Sequence, residues 1–449
     1  MDMRLMNDME DYQRLGLNPK KVEDWEAQRR SPRARNVWET WTVGATLDDG
    51  TLLDITYATK DPAHIGSADD APVIDLTLTG PDGTVTHATR SIEADRCTFG
   101  EGGLDLGFDD CHARGDLRSL RLTATGLTLD SDDTSAISDE AADDQTADGE
   151  DTTAGETDDE DDAHYLIHGT GFDLRLDTQA RPLRPATGIF DYGHDARSCV
   201  GWLSPMPVAT ISGTIVIDGT ARHVTGHARH THEWGTIAPS DAWNHVLTVT
   251  QRFHGMTLTL VDITGAHRTG YIRYPMIFLT NERGILAYSD TLDTHCHSTV
   301  TGTATAGDDE RAPYPTGITY TFNTPDNGTI AYTLADTEPL GDAATLRYAT
   351  GAFGLKKHHI DTIRLTGTGT LAITEPQGAR GRHAIVSHGT VIQSDDTPDT
   401  TDTTVDSYDD PSLHATTTTY KGPAVATFRI TGKQFDVRHA PQIVTEYVY

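Results

Sequence analysis

The chain has 449 residues, 68 acidic against 35 basic residues, a formal net charge of −33 and 36% hydrophobic residues. At roughly 100–200 residues per domain, this length predicts two domains or three. Because acidic side chains repel phosphate, the charge argues against a nucleic acid or an anionic membrane surface as the main partner.

The cysteines and the apolar runs set the next limits. Cys97, Cys111, Cys199 and Cys296 are far apart and form no Cys-x-x-Cys pair, which argues against a disulfide scaffold or a zinc ribbon. Residues 1–39 are charged throughout and lack the apolar core of a secretory signal. No run approaches the roughly 18 apolar residues of a membrane span. The sequence therefore predicts a soluble, cytoplasmic protein with no integral membrane segment, and leaves its oligomeric state open.

The helix signals lie near the N-terminus. Asn18 is a candidate N-cap for the segment PKKVEDWEAQRR (19–30), which predicts a short helix there. We expect residues 1–40 to form a helical extension that packs on the outside of the following β domain or closes one of its ends.

From about Trp41 onward the sequence is rich in Thr, Val, Ile and Leu in short alternating runs, broken by Asp-Gly pairs. Examples are LDDGTLLDITYA (47–58) and GPDGTVTHATR (80–90). Alternation interrupted by Asp-Gly is the signal of a β-hairpin. Strands at this spacing are typical of an all-β sandwich or barrel, and the length of the chain suffices for two.

Two segments interrupt this pattern. Residues 130–162 contain 16 acidic residues and no basic ones, and residues 394–410 contain 7 and none. Such composition cannot bury enough apolar surface to offset the entropy of ordering, so we expect a disordered insert and an acidic loop. The rest of the chain then carries a net charge of −10, which indicates an ordinary β protein instead of a uniformly acidic surface.

A domain boundary is predicted just after Gly235. Before it, the apolar segment GWLSPMPVATISGTIVIDG (201–219) leads into a hairpin, and after it APSDAWNH (238–245) opens a new series of strands. This predicts a first β domain over residues 41–237 and a second over 238–449.

The run His230, Thr231, His232, Glu233 and Trp234 is the most unusual in the chain. Alternate residues of a strand face opposite sides, so the two histidines and the tryptophan share one face. Ring nitrogens inside a barrel need hydrogen-bond partners or a ligand. A functional site on this face is one hypothesis, and core histidines satisfied by neighbouring strands are the alternative.

The segment IVIDGTARHVTGHARHTHEWG (215–235), followed by Trp-Asn-His at 243–245, resembles the lipocalin-like family of carotenoid 1,2-hydratase (hydroxyneurosporene synthase) and the AttH-like proteins. The similarity continues in order over roughly residues 41–449, with a specific motif of about twenty residues. The resemblance implies an all-β fold of two tandem lipocalin-like β-barrels, with a cavity for a hydrophobic, often terpenoid, ligand near their junction.

The same resemblance implies catalytic residues. The functional histidine and tryptophan of the hydratases correspond to His232 and Trp234, and their proton-donating aspartate corresponds to Asp262 in LTLVDI (258–263). Two positions depart from the family pattern, because Thr231 replaces the aspartate that opens the motif and Leu260 stands where a tyrosine is expected.

Hydration of an isolated alkene requires protonation to a tertiary carbocation in an apolar cavity. A buried, protonated Asp262 could donate the proton, the face of Trp234 could stabilise the cation, and His232 could orient the acid or water. Leu260 lacks the hydroxyl of the tyrosine expected at its position. Tyr271, Tyr274 and Tyr288 are near Asp262 in sequence and could supply a replacement. The residues expected to bind the ligand are His230, Trp243, His245, Tyr271 and Tyr274.

A metal site is a competing hypothesis. His230 and His232 have the spacing of two ligands to zinc or iron on a strand and would need a third. Candidates for the third ligand are His223, His227 and His245, and a second such pair is His295 and His297. With 21 histidines in the chain, such pairs also arise by chance. No cofactor motif is present, so the sequence predicts no bound cofactor.

Three functions remain open. The protein could bind a terpenoid, a carotenoid or another lipid and carry out acid-catalysed hydration, isomerisation or cyclisation, as a lyase or isomerase. It could be a non-catalytic carrier of such a ligand, or a metal-dependent β-barrel enzyme. A cavity that brings His232 and Asp262 within hydrogen-bond reach would favour the enzyme, and a purely apolar cavity would favour the carrier.

Overall fold

The computed structural model describes residues 3–61, 64–130, 167–193, 197–281, 284–289, 296–306, 312–323, 328–350, 356–375 and 416–431. Within them the chain forms two large antiparallel sheets and short helical segments. The predicted disordered insert beyond Asp130, the acidic loop at 394–410 and the C-terminal VTEYVY lie outside the described residues. None of the helices in the described ranges is long and apolar enough to cross a membrane.

The first sheet has thirteen strands. They are β1 (Arg4–Leu5), β2 (Trp38–Leu47), β3 (Leu52–Ala58), β4 (Val73–Thr79), β5 (Val85–Ser91), β6 (Cys97–Phe99), β7 (Leu104–Phe108), β8 (Cys111–Gly115), β9 (Ser119–Leu129), β10 (Thr170–Thr178), β11 (Ile189–Asp191), β12 (Cys199–Ile217) and β13 (Thr220–Gly235). Eight of them close a ring in the order β12, β13, β2, β3, β4, β5, β9 and β10, because β10 pairs with both β9 and β12. The alternate residues that face the inside form one apolar core.

The second sheet has ten strands in the described part of the chain. They are β14 (Trp243–Phe253), β15 (Met256–Gly265), β16 (Arg273–Asn281), β17 (Gly284–Ser289), β18 (Cys296–Ala306), β19 (Ala312–Asn323), β20 (Thr329–Pro339), β21 (Ala344–Thr350), β22 (Lys356–Glu375) and β23 (Thr416–Ile430). Nine strands follow the order β17, β16, β15, β14, β23, β22, β20, β19 and β18, and β21 pairs with β22. Because β16 also contacts β18, the two ends of this order approach each other around a second apolar core. The predicted all-β fold class is confirmed.

The N-terminal segment is helical, as predicted, but the helix lies elsewhere. Helix α1 spans Met9–Leu15, whereas the predicted segment 19–30 contains a single 3₁₀ turn, Asp24–Ala27. Asp8 and Asp11 form a capping box at the start of α1, and Gly16 ends it in the left-handed region at φ 68°. In the predicted segment, the carbonyl of Ala27 accepts a hydrogen bond from the indole of Trp41 instead of continuing a helix.

The two sheets pack against each other through a third apolar cluster. Helix α2 (Pro239–Ala242) connects β13 to β14, and three tryptophans, Trp38, Trp202 and Trp243, lie in the cluster around it. The first sheet therefore ends at Gly235 and the second begins at Trp243, with a buried contact between them.

Gly201 on β12 gives a test of this packing. It is the cross-strand partner of Trp234, and a methyl group at position 201 would overlap the indole ring. We expect Gly201→Ala to lower the free energy of unfolding by about 2 kcal/mol, because overpacking forces the ring or the backbone to shift. Urea denaturation followed by tryptophan fluorescence measures the change.

Gly422→Ala is the matched control. A methyl group there would meet its nearest neighbour, Gln251 Nε2, at 3.7 Å, an ordinary van der Waals distance. Its unfolding curve should match that of the native protein. Equal stability of the two variants would contradict the packing described for Trp234.

Candidate functional site

Strand β13 presents two different faces. His230, His232 and Trp234 are exposed by only 2%, 0% and 5% and face the interior of the first sheet's ring. The opposite face carries Arg229, Thr231 and Glu233, which are only partly buried. Arg229 and Glu233 form hydrogen bonds with residues of the second sheet. The shared face predicted for the two histidines and the tryptophan is therefore present.

His232 is paired with a carboxylate that the sequence analysis did not identify. Its Nε2 lies 2.6 Å from Glu39 Oε1, and both side chains are fully buried. Glu39 also accepts hydrogen bonds from the backbone N–H groups of Arg30 and Ser31, each at 2.7 Å. The ring of His232 stacks on Trp41 with centroids 5.0 Å apart. Because both carboxylate oxygens of Glu39 already accept backbone hydrogen bonds, Nε2 of His232 is assigned as the N–H donor of this contact.

The N-terminal segment covers this end of the ring. The guanidinium of Arg30 lies 5.1 Å from the ring of Trp234 and 4.9 Å from that of Trp25. The Trp234 ring is in turn 4.7 Å from that of His232. The result is an enclosed stack of aromatic rings and one cation around the buried imidazole and carboxylate.

Three ring nitrogens on the inner face of β13 have no hydrogen-bond partner among the described residues. They are both nitrogens of His230 and Nδ1 of His232. Burial lowers the pKa of His230 to about 3, and the neighbouring His232 adds to the shift. His230 is therefore a neutral imidazole at pH 7.

Asp262 lies in the second sheet with its own partners. It is 1% exposed on β15, forms an ion pair with Arg273 on β16, and accepts a hydrogen bond of 2.7 Å from the hydroxyl of Tyr320. Burial raises the pKa of Asp262, but Arg273 and Tyr320 outweigh that effect and hold the pKa below its usual value. The expectation of a protonated Asp262 is therefore wrong, because the fold supplies a buried cation beside it.

The hydroxyl that contacts Asp262 comes from a tyrosine that the sequence did not suggest. Tyr320 supplies it, whereas Tyr274 donates to a backbone carbonyl of the N-terminal segment at 2.9 Å. Tyr271 lies in a turn at φ 57°, and Tyr288 is half exposed. The tyrosine comes from β19, a strand that the sequence could not place beside β15.

The two remaining predicted residues lie near the contact between the sheets. Nε2 of His245 is 2.9 Å from Thr264 Oγ1, and burial lowers the pKa of His245 to about 3. Trp243 lies in the inter-sheet cluster, with the guanidinium of Arg429 5.5 Å from its ring. The cavity beside Trp243 has a volume of about 20 Å³, which is room for one water molecule and not for an organic ligand.

The structure thus divides the predicted catalytic residues between two cores. His232 pairs with Glu39 and Asp262 with Arg273, and no hydrogen bond joins His232 to Asp262. The alternation in WETW (38–41) places Glu39 and Trp41 on one strand face, which is the signal that could have identified them. Arg273 and Tyr320 carry no such signal.

The large cavity of the described structure is a cleft of about 980 Å³ between the two sheets. Strands β2, β3, β12 and β13 line one side, and β14, β22 and β23 line the other. None of the eight predicted site residues is among those that line it. Its charged side chains are Asp54, Arg229, Arg252, Arg364 and Lys421. The volume falls within the range of small-molecule sites.

Two ion pairs cross between the sheets, one at this cleft and the other at the small cavity beside Trp243. Arg364 of β22 pairs with Asp54 of β3. Arg429 of β23 binds Glu233 of β13 through two hydrogen bonds of 3.0 and 3.1 Å. A bidentate arginine and carboxylate pair fixes orientation as well as distance, so these contacts set the position of one wall against the other.

In the described part of the chain, no third metal-ligating side chain lies with His230 and His232. Among the residues that the structure describes, no three His, Cys, Asp or Glu side chains are grouped so that they could hold a metal ion. His295 lies outside the described residues.

Solved structures similar to this chain cover more than nine-tenths of its length. Among them are CghA with Sch210972 (TM-score 0.45, 12% identity, 92% of this chain and 95% of that chain), an AttH protein of Nitrosomonas europaea (0.46, 14%, 91% and 98%) and kievitone hydratase of Nectria haematococca (0.45, 9%, 92% and 94%). AttH-like proteins are also among those that the segment 215–235 resembles. No protein-family model matches the chain, and no curated protein matches its sequence.

The neutral His230 predicts a pH dependence of stability. In the unfolded chain this histidine takes up a proton below pH 6.5, whereas in the folded protein it does so only near pH 3. Stability from this group is therefore lost as the pH falls from 6.5 towards 3. Between pH 7 and pH 5, His230→Leu should lose roughly 2 kcal/mol less unfolding free energy than the native protein.

Urea denaturation at the two pH values measures this difference. Met206→Leu is the control, because Met206 is the buried cross-strand partner of His230 and does not titrate. The control should keep the pH dependence of the native protein. If His230→Leu loses as much unfolding free energy between the two pH values as the native protein does, folding does not lower the pKa of His230.

Proposed function

We propose that the protein binds a small organic molecule with an apolar body in the cleft between its two sheets. The observation that carries this proposal is the volume of the cleft, about 980 Å³, with walls from both sheets. Sites of this size that lie between two packed units are where small ligands bind most often in proteins. A terpenoid, a carotenoid fragment or another lipid is the ligand class that the sequence resemblance implies.

Apolar side chains in the cleft support an apolar ligand body. The wall includes Leu52, Val208 and Val425, and the rings of Phe253 and Tyr420 lie side by side with centroids 6.2 Å apart. Apolar surface buried by a ligand contributes about 25 cal/mol per Å², so contact with these groups is a sufficient source of affinity.

Filling the cleft tests the proposal. The purified protein is extracted with organic solvent and the extract is analysed by mass spectrometry, before and after incubation with a lipid extract. We expect a bound organic molecule in the native protein and its loss in Val425→Trp, because Val425 of β23 lines the cleft. Thr417→Trp, at an exposed position of the same strand that does not line the cleft, is the control and should retain the ligand. Retention in both variants would contradict binding in the cleft.

Acid-catalysed hydration, isomerisation or cyclisation is a second candidate function. The observation that favours it is the buried pair of His232 and Glu39 between the indole rings of Trp41 and Trp234. An imidazole held by a carboxylate can donate and take back a proton, and the two indole faces would stabilise a carbocation. Because Arg273 keeps Asp262 ionised, the proton donor in this proposal is His232. Its substrate would occupy the ring of the first sheet, beneath the N-terminal segment, and not the cleft, which His232 does not line.

Incubation of the extracted ligand with the protein in D₂O tests this second function. Hydration adds D₂O to the mass of the ligand, whereas isomerisation or cyclisation exchanges a proton for a deuteron. Glu39→Gln keeps the shape of the pair but replaces the carboxylate that binds His232 Nε2 by a neutral amide, so deuterium uptake should fall by about tenfold or more. Glu101→Gln, at an exposed position outside the cleft, is the matched control and should leave the uptake unchanged. If the native protein leaves the ligand unchanged, the catalytic proposal is contradicted and the function as a carrier stands.

A further inference from the structure

We propose that Arg229 binds an anionic head group of the ligand, a carboxylate or another small oxyanion, in the cleft between the sheets. This inference rests on the proposed function, because it concerns the ligand of the same cleft. It adds a charge requirement that neither the sequence nor the resemblance contains.

The guanidinium of Arg229 has few partners. It donates one hydrogen bond, of 3.0 Å, from Nη1 to Thr250 Oγ1 across the cleft. The nearby acid is Glu233, but both of its carboxylate oxygens are bound by Arg429. Arg229 forms no ion pair with a described residue, although an arginine carries five N–H donors.

The charge on Arg229 persists in this position. Burial lowers its pKa to about 10, with Glu233 opposing and Arg429 adding to the shift. The group is therefore still a cation at pH 7. A cation that is partly withdrawn from water carries a free-energy cost unless an anion or several hydrogen bonds compensate it. One neutral threonine hydroxyl is insufficient compensation, and an oxyanion would complete it.

The neighbouring strand leaves space for such an anion. The cross-strand partner of Arg229 on β2 is Gly44, and both residues line the cleft. A side chain at position 44 would begin 3.5 Å from Arg229 Nε and 3.1 Å from Asp54 Oδ1. Glycine at this position therefore keeps side-chain atoms of β2 out of the space beside the guanidinium, and the carboxylate of Asp54 borders that space on its other side.

The other charges of the cleft also favour an anion. Arg252, Arg364 and Lys421 line it, with Asp54 as the acid among its described residues. Asp54 is paired with Arg364, so its charge is already compensated. The pKa of His227, which also lines the cleft, is lowered by burial and then by Arg252. The cleft is thus a positive region in a chain of net charge −33.

The shape of the site favours a single oxyanion on an apolar body. A guanidinium binds a carboxylate or sulfonate through two parallel hydrogen bonds. The Phe253 and Tyr420 rings provide an apolar surface elsewhere in the same cleft. The ligand predicted by this arrangement is an amphipathic acid and not a neutral hydrocarbon.

Two fluorescent probes that differ by one sulfonate test the proposal. They are 8-anilinonaphthalene-1-sulfonate and its uncharged analogue N-phenyl-1-naphthylamine, each titrated into the folded protein. Arg229→Met should weaken binding of the sulfonate probe by about tenfold or more, the worth of a charge-assisted bidentate contact. Binding of the uncharged probe should change by less than about twofold. Arg175→Met, at an exposed site on β10 outside the cleft, is the control and should change neither.

For a second variant we expect the affinity for the sulfonate probe to change in the opposite direction. Asp54→Asn removes the acid of the cleft and frees Arg364, so it should strengthen binding of the sulfonate probe and leave the uncharged probe unchanged. A purely structural role for these residues would not produce a gain in affinity. Thermal unfolding of each variant verifies that the probes bind a folded protein.

The outcomes separate this inference from the proposed function. If Val425→Trp abolishes binding of both probes while Arg229→Met affects both equally or neither, the cleft binds ligands and the anion site is wrong. If both probes still bind to Val425→Trp with native affinity, the cleft is not the binding site and the proposed function fails. Loss of sulfonate binding alone in Arg229→Met supports the inference.

Discussion

The two-residue period of strand β13 is the constraint on which both candidate sites depend. Because successive side chains of a strand point to opposite faces, this strand contributes at once to the core of the first sheet and to the contact with the second. His232 and Trp234 occupy the inner face, whereas Arg229 and Glu233 occupy the outer one. A shift of one residue in register would exchange the two sets and place charges in the core.

The two buried carboxylates of the inner sites are compensated locally, whereas Arg229 is not. Glu39 is satisfied by His232 and two backbone N–H groups, and Asp262 by Arg273 and Tyr320. These partners make the inner sites self-contained. Arg229 is instead left with a threonine hydroxyl at the edge of a large cleft. Incomplete compensation next to open volume is where a ligand has the most to contribute.

The sequence predicts what depends on local pattern and fails where distant residues meet. Alternation and Asp-Gly turns suffice for the all-β class and for the shared face of His230 and His232. The partner of His232 is 193 positions away, and Tyr320 is 58 positions from Asp262, so these contacts depend on strand order. Arg273 is only 11 positions from Asp262, but alternation alone does not show that the two side chains form a buried ion pair, and a buried cation reverses the rise in pKa that burial alone predicts. Helix α1 begins at a capping box of Asp8 and Asp11, a local signal that lies outside the predicted segment 19–30.

Both walls of the cleft come from separate sheets that are held in position by the Arg364–Asp54 and Arg429–Glu233 ion pairs. The cleft is therefore a property of the pairing between the halves and belongs to neither half alone. Most of its lining side chains lie outside the two apolar cores, with Ala45, Ala228 and Phe253 shared between them. Substitutions at the other lining positions can change the shape and charge of the cleft while each apolar core keeps its composition.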